Sequence, residues 1–297
     1  EPADENGRND VDKLGLVLLH VDEAGHRIEL VRTASDDLTW EHPATLSRLG
    51  VSMRGGWDRI VDLPCGDLDE FRRKRARNDY PVLAALDLGI GRLRIPLTDL
   101  DDPATRQRVG DLASMGFDFL VFHPGVPSRR HADLLRACPE GLVQLEVLLR
   151  PHELLASHEA QGRIALPVAV SCIGGAEPGK RGYFSHFPAQ GFPTNSPDME
   201  AALEVFPDAT HVVFRVPAGA SPWVTIEAAA ARAAALGCAA ICHMEIPRGT
   251  ERQAHTNDWA VARRVAEAAL AARAFPTVHV YLDTFVDKDR GYYPRHG

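Results

Sequence analysis

The sequence is most informative first in what it lacks. No uninterrupted apolar run reaches the roughly 18–20 residues of a membrane-spanning helix, so a helical membrane protein is excluded and no membrane partner is expected. No GxGxxG or GxxxxGK[ST] turn follows a strand-like run, so the usual phosphate cradles of nucleotide-binding folds are missing. No zinc-type CxxC pair occurs, and the five cysteines (Cys65, Cys138, Cys172, Cys238, Cys242) are an odd number. They read as buried thiols in a reducing compartment, which points to a cytoplasmic location. Positive charge is also short: 33 Lys and Arg against 41 Asp and Glu give a net charge of −8. Nucleic-acid binding favours basic domains and is not expected. No secretory signal is visible.

What is present suits a folded globular chain. Apolar residues make up 45 % and charged residues 25 % of the 297, too apolar for a disordered chain. The segment 1–10 is polar. Two strand-like runs at 14–21 and 27–33, joined by a Gly-containing turn, predict a β-hairpin. Residues 34–44 are rich in turn formers and read as a linker. The first residue is Glu, and the last strand-like run lies close to the end. The chain is therefore expected to be part of a larger protein, with 1–44 the possible end of an upstream domain.

From residue 45 onward strand and helix alternate. Strand-like runs fall at 57–63, 92–97, 119–123, 143–149, 165–172, 211–216, 239–246 and 277–285. Helical segments fall at 67–77, 82–88, 103–115, 128–138, 152–161, 198–206, 222–236 and 258–274. Apolar residues recur at three- and four-residue steps in the last two, and Gly237 sits where a helix C-cap is expected. Eight strands alternating with helices over about 250 residues predict a (β/α)8 TIM-type barrel spanning 45–297, apparently without its last helix. A doubly wound sheet is the alternative.

In such a barrel the chemistry lies at the C-terminal strand ends. Successive strand residues alternate between faces, so His243 and Glu245 share one side. Buried ionisable groups are costly against an outer helix layer. The expected inward cluster is therefore Arg94, His123, Glu146, Arg215, His243, Glu245 and Asp283. Arg94 with Glu146 could instead form a structural ion pair, and His123 could bond the turn that follows it. Residues 173–197 form a long Gly-rich loop carrying Lys180 and Arg181, which suits a lid over a polar or anionic ligand. The basic run 71–77 follows acidic residues at helical spacing and reads as a solvated helix face.

Glu146 and Glu245 fall on the fourth and seventh strands, and this pattern resembles the large clan of (β/α)8 glycoside hydrolases. The run 281–297 also looks like the strand-eight exit of barrel proteins that act on sugar derivatives. The resemblance implies a hydrolase of a carbohydrate or sugar-acid derivative, with Glu146 as acid/base and Glu245 as nucleophile. Arg94, His123, Arg215, Asp283, Lys180 and Arg181 would bind the substrate, and no cofactor would be required. A second reading makes His243, with Glu245 and Asp283, the ligands of a divalent metal ion in a lyase, isomerase or lactonase. A third starts from the N-terminal hairpin, which is similar to the closing hairpin of calcineurin-like metallophosphoesterases. It implies a non-catalytic accessory barrel, with the phosphatase site in an upstream domain or a second chain, since DxH, GNH and HxH are absent here.

Overall fold

The computed structural model describes residues 18–22, 25–29, 48–53, 57–58, 60–62, 75–77, 79–137, 141–149, 164–173, 190–246 and 258–283. The chain forms two compact units, Glu1–Glu41 and His42–Gly297. In the first, β1 (Leu18–Asp22) pairs antiparallel with β2 (Gly25–Glu29). This is the expected hairpin, with a tighter turn: Asp22 already stands opposite Gly25.

The second unit is a closed barrel of eight parallel strands. In order around the wall they are β3 (Leu49–Ser52), β6 (Arg92–Pro96), β7 (Asp118–Pro124), β8 (Leu142–Leu149), β9 (Val168–Cys172), β10 (His211–Val216), β11 (Ala239–Met244) and β12 (Val278–Leu282), which returns to β3. The (β/α)8 expectation therefore holds. Seven of the strands lie where the sequence pattern puts them, but the first does not. The expected strand 57–63 contributes only β4 (Ile60–Asp62), which pairs antiparallel with β5 (Arg75–Arg77) outside the barrel. Its β-branched residues carry the strand signal, but the barrel position is taken by Leu49–Ser52. Gly50 obscures that strand locally, because Gly weakens an isolated strand. The barrel requires it: a Cβ at Gly50 would lie 2.4 Å from Cε1 of Tyr281. The helix expected over 67–77 is likewise corrected at Arg75–Arg77; residues 67–74 and the helix expected at 152–161 lie outside the described residues.

The remaining helices follow the pattern: α1 (Tyr80–Asp87), α2 (Pro103–Ser114), α3 (Arg129–Ala137), α4 (Asp198–Val205), α5 (Pro222–Ala235) and α6 (Asp258–Ala274). A 3-10 turn, Leu97–Asp101, links β6 to α2. Local chemistry fixes the helix ends. Asp102 caps α2 by accepting from the Ala104 amide at 3.0 Å, with Pro103 in the first turn. Ser221 and Pro222 repeat this at α5. Gly237 ends α5 with φ +73°, a left-handed conformation that Gly adopts without a Cβ penalty.

The main core lies between the outer strand faces and the helices. Val212, Phe214, Ala240, Cys242, Val278 and Val280 meet Ile226, Ala229 and Ala233 of α5 and Ala268, Ala271 and Ala272 of α6. The small alanines let both helices approach the wall closely. Of the cysteines, Cys242 is buried as expected, whereas Cys172 and Cys238 are half-buried, and all three are free thiols. Among the described residues no helix is long and apolar enough to cross a membrane.

Candidate active site

Leu120, Ala169, Val213, Ile241 and Tyr281 form a second, separate apolar cluster. They come from β7, β9, β10, β11 and β12, and alternate along their strands with the residues of the outer core. They are therefore the inward face, an apolar plug across the barrel interior. Polar inward residues lie on either side of it.

On the N-terminal side, Gln144 Nε2 donates to His211 Nδ1 at 2.7 Å. The His211 and His279 rings stand 5.9 Å apart. Burial, with the positive charge of Arg92, pushes His211 down to about 4. Burial, then Arg92, His211 and Arg48, push His279 down to about 3. Both rings are neutral at neutral pH. This end faces away from the strand termini where barrel chemistry occurs.

On the C-terminal side, Arg94, Glu146 and His243 meet. They come from β6, β8 and β11, which are not neighbours in the wall, so they touch only across the interior. Arg94 Nε donates to Glu146 Oε2 at 2.7 Å, and His243 Nε2 donates to the same oxygen at 3.2 Å. Arg94 Nη2 donates to Gln190 Oε1 at 2.8 Å, and its guanidinium lies 3.8 Å from the centre of the Phe122 ring. His243 packs on Tyr281 with ring centres 6.0 Å apart. Glu146 is fully buried, and Arg94 and His243 nearly so.

Burial alone would raise the Glu146 carboxyl. Arg94 and His243 outweigh it and hold Glu146 well below the usual carboxylate range. Burial and the neighbouring Arg94 charge lower His243, against the pull of Glu146 and Asp283. The centre is thus an ionised Glu146 between a guanidinium and a neutral imidazole. Because Glu146 only accepts, His243 carries its proton on Nε2 and keeps a lone pair on Nδ1. Burial pushes the Cys172 thiol up to about 11, so it stays protonated near neutral pH and is a poor nucleophile.

Of the residues expected to gather here, Arg94, Glu146 and His243 do so. Asp283 is buried just past β12 and close enough to act on His243. Arg215 lies two residues beyond inward-facing Val213. His123 is corrected: it lies on the same outer face of its strand as the outer-core residues Phe119 and Val121. Its Nδ1 donates to the Gly125 carbonyl at 3.0 Å, and its ring packs on His131 of α3. This is the turn-bonding alternative. Glu245 lies just past the end of β11 and acts on Arg264 of α6, which donates to the Ala220 and Pro217 carbonyls. The side chains that bond Glu146 are Arg94 and His243. Lys180 and Arg181 lie outside the described residues. Among the described residues no group of three or more His, Cys, Asp or Glu side chains is placed to hold a metal ion, so His243, Glu245 and Asp283 do not form one.

The sequence reading missed Gln190, Phe122 and Ser171. Ser171 was accessible to it, being two residues from inward Ala169. Gln190 was not: its place follows from the Ile173–Gln190 bridge and from Gly191. Gly191 has φ +93°, and a Cβ there would lie 2.7 Å from the Phe214 backbone.

No protein-family model matches the sequence, and no curated protein does. Among solved structures, the chain is similar to a candidate isomerase from Sinorhizobium meliloti in an open-loop conformation, with 14 % identity over 80 % of this chain and 50 % of that one and a TM-score of 0.46. It is also similar to a candidate aldo-keto reductase from Pseudomonas aeruginosa, with 14 % identity over 81 % of this chain and 85 % of that one and a TM-score of 0.40. The chain spans about half the length of the first.

Proposed function

We propose that the barrel is an enzyme that moves a proton on a small hydroxylated carbonyl compound, as an isomerase or lyase does, with His243 as the base. One observation carries this reading: His243 bonds through Nε2 to a carboxylate that Arg94 keeps ionised, at the catalytic end of the barrel. The lowered His243 leaves Nδ1 free of a proton. Nδ1 would take a proton from the carbon next to the substrate carbonyl, and the C–H electrons would pass to the carbonyl oxygen as an enolate. The imidazolium so formed is stabilised by Glu146, whose role is to orient and balance the ring, as a carboxylate does behind a catalytic histidine. Return of the proton to the former carbonyl carbon, with the hydroxyl proton of the adjacent carbon passing to the enolate oxygen, completes an isomerisation; loss of a hydroxide from the carbon beyond, which leaves as water with the imidazolium proton, completes an elimination.

The two-carboxylate hydrolase needs an acid that keeps its proton near neutral pH. The surroundings of Glu146 favour the opposite state, and Glu245 acts on Arg264. Proton transfer through His243 is therefore better supported.

The test is solvent exchange. The protein is incubated in D2O with aldoses, ketoses, sugar phosphates and sugar acids, and proton NMR follows the C–H next to each carbonyl. Wild type should exchange it for at least one compound, and His243→Asn should slow that exchange by roughly 10²–10⁴-fold, the usual contribution of a positioned base. Exchange that persists in a folded His243→Asn protein refutes the role of His243.

A further inference from the structure

Three adjacent strands each present an unsatisfied polar atom to the upper interior. Among the described residues, Glu146 Oε1 on β8, Ser171 Oγ on β9 and Arg215 Nε on β10 are buried with no hydrogen-bond partner. Glu146 and Ser171 are both 0 % exposed. Leaving a polar group buried and unpaired costs about 1–3 kcal/mol, so three neighbours in this state point to a missing ligand.

The register orders them. Glu146 stands opposite Ala169, and Ser171 is the next inward position along its strand toward the mouth. Val170 stands opposite Val212, which puts Ser171 beside Val213 and Arg215 one inward step above that. Two residues span roughly 7 Å along a strand, and the tilt of the strands in a closed barrel makes the rise along the barrel axis smaller. The three atoms therefore belong to a diagonal staircase from the deep end at Glu146 to the mouth at Arg215.

Their chemistry is complementary in a defined sense. Ionised Glu146 can only accept, so the deep end of the ligand must donate, as a hydroxyl does. Arg215 can only donate, so the outer end must accept. Ser171 does both and suits a hydroxyl between them. Glu146 is already balanced by Arg94, which leaves Arg215 to match a single negative charge. One guanidinium fits one carboxylate.

We infer that this wall binds an elongated polyhydroxy carboxylate, a sugar acid, with its carboxylate at Arg215 and its hydroxyls on Ser171 and Glu146. The inference deepens the proton-transfer reading and rests on the same site, but it concerns binding alone.

Calorimetry on the full chain would compare D-gluconate with sorbitol, which lacks the carboxylate, with hexanoate, which lacks the hydroxyls, and with glucose 6-phosphate. Gluconate should bind at least tenfold more tightly than each of the others. Arg215→Gln should bring gluconate down to the level of sorbitol. Ser171→Ala should weaken gluconate about five- to tenfold, the worth of one hydrogen bond. It should also raise the melting temperature of the unliganded protein, because it deletes a buried hydroxyl that has no partner there. Equal binding of gluconate and sorbitol, tighter binding of the phosphate, or gluconate binding unaffected by both substitutions would overturn the inference. A lower melting temperature for unliganded Ser171→Ala would also overturn it, since that marks a hydroxyl that serves the fold through a resident water. Should Arg215→Gln fail to fold, Ser171→Ala still decides. Gluconate that binds wild type and His243→Asn alike, while no compound of the panel exchanges deuterium, would leave this inference standing and remove the proton-transfer reading.

Discussion

His211 and His279 should make the barrel acid-labile in a calculable way. Both rings lie at the N-terminal side of the apolar plug, facing Gln144, Thr210, Arg92 and Arg48. Arg92 is also paired with Asp118 at 3.4 Å. In the folded state His211 titrates at about 4 and His279 at about 3, against 6.5 for an unperturbed ring. The unfolded chain therefore takes up protons below pH 6.5 while the folded barrel does not. Stability is full above that pH and falls as pH drops toward the folded values. At pH 5 each histidine sits about 1.5 pH units below its unfolded value, worth about 2 kcal/mol at 1.36 kcal/mol per unit. Partial solvent screening reduces this to about 1–2 kcal/mol each, or about 2–4 kcal/mol for the pair. Urea unfolding followed by tryptophan fluorescence between pH 5 and 8 measures it, with a His211→Gln/His279→Gln protein as reference. Other titrating groups contribute to both proteins and cancel in the difference. Parallel pH profiles for the two proteins would refute the reasoning.

Two further perturbations probe the interior. Gly50→Ala forces a Cβ onto the buried Tyr281 ring and should cost about 1–3 kcal/mol by overpacking; denaturant unfolding should show part of that loss recovered when Tyr281→Leu is added. Glu146→Gln removes the charge between Arg94 and His243 and should cost about 3–5 kcal/mol, the usual penalty for stranding a buried ion. Replacing Arg94 and Glu146 together by Met and Gln should cost less than Glu146→Gln alone, and a double-mutant cycle that found them additive would contradict a direct pair.

Much of the barrel was legible in the sequence because a parallel strand and its helix differ in period. His211–Val216 followed by Pro222–Ala235 reads as β then α from residues alone, and the caps at Asp102 and Ser221 come from local hydrogen bonding. The first strand was not legible. Leu49–Ser52 is four residues long and contains a glycine whose reason is Tyr281, more than two hundred residues away. Arg75–Arg77 looked helical because its charges follow acidic residues at helical spacing, yet its backbone hydrogen bonds go to Ile60–Asp62. No local pattern encodes such a partner.

The same division applies to the site. The period of two along each strand determined that Glu146 and His243 carry ionisable groups on one face near a strand's end, and residue chemistry made them candidates. It also placed Glu245 beside His243, but Glu245 lies past the last strand residue, and there alternation no longer governs direction. Only closure of the barrel decided which groups meet. Arg94, Glu146 and His243 stand on the second, fourth and seventh strands, no two of which are adjacent in the wall. Their contact across the interior turns Glu146 from an expected acid into a buried, ionised partner of one guanidinium and one imidazole, and gives His243 its tautomer. Sequence determines what each side chain can do, and the closed wall determines which other side chains it must do it beside.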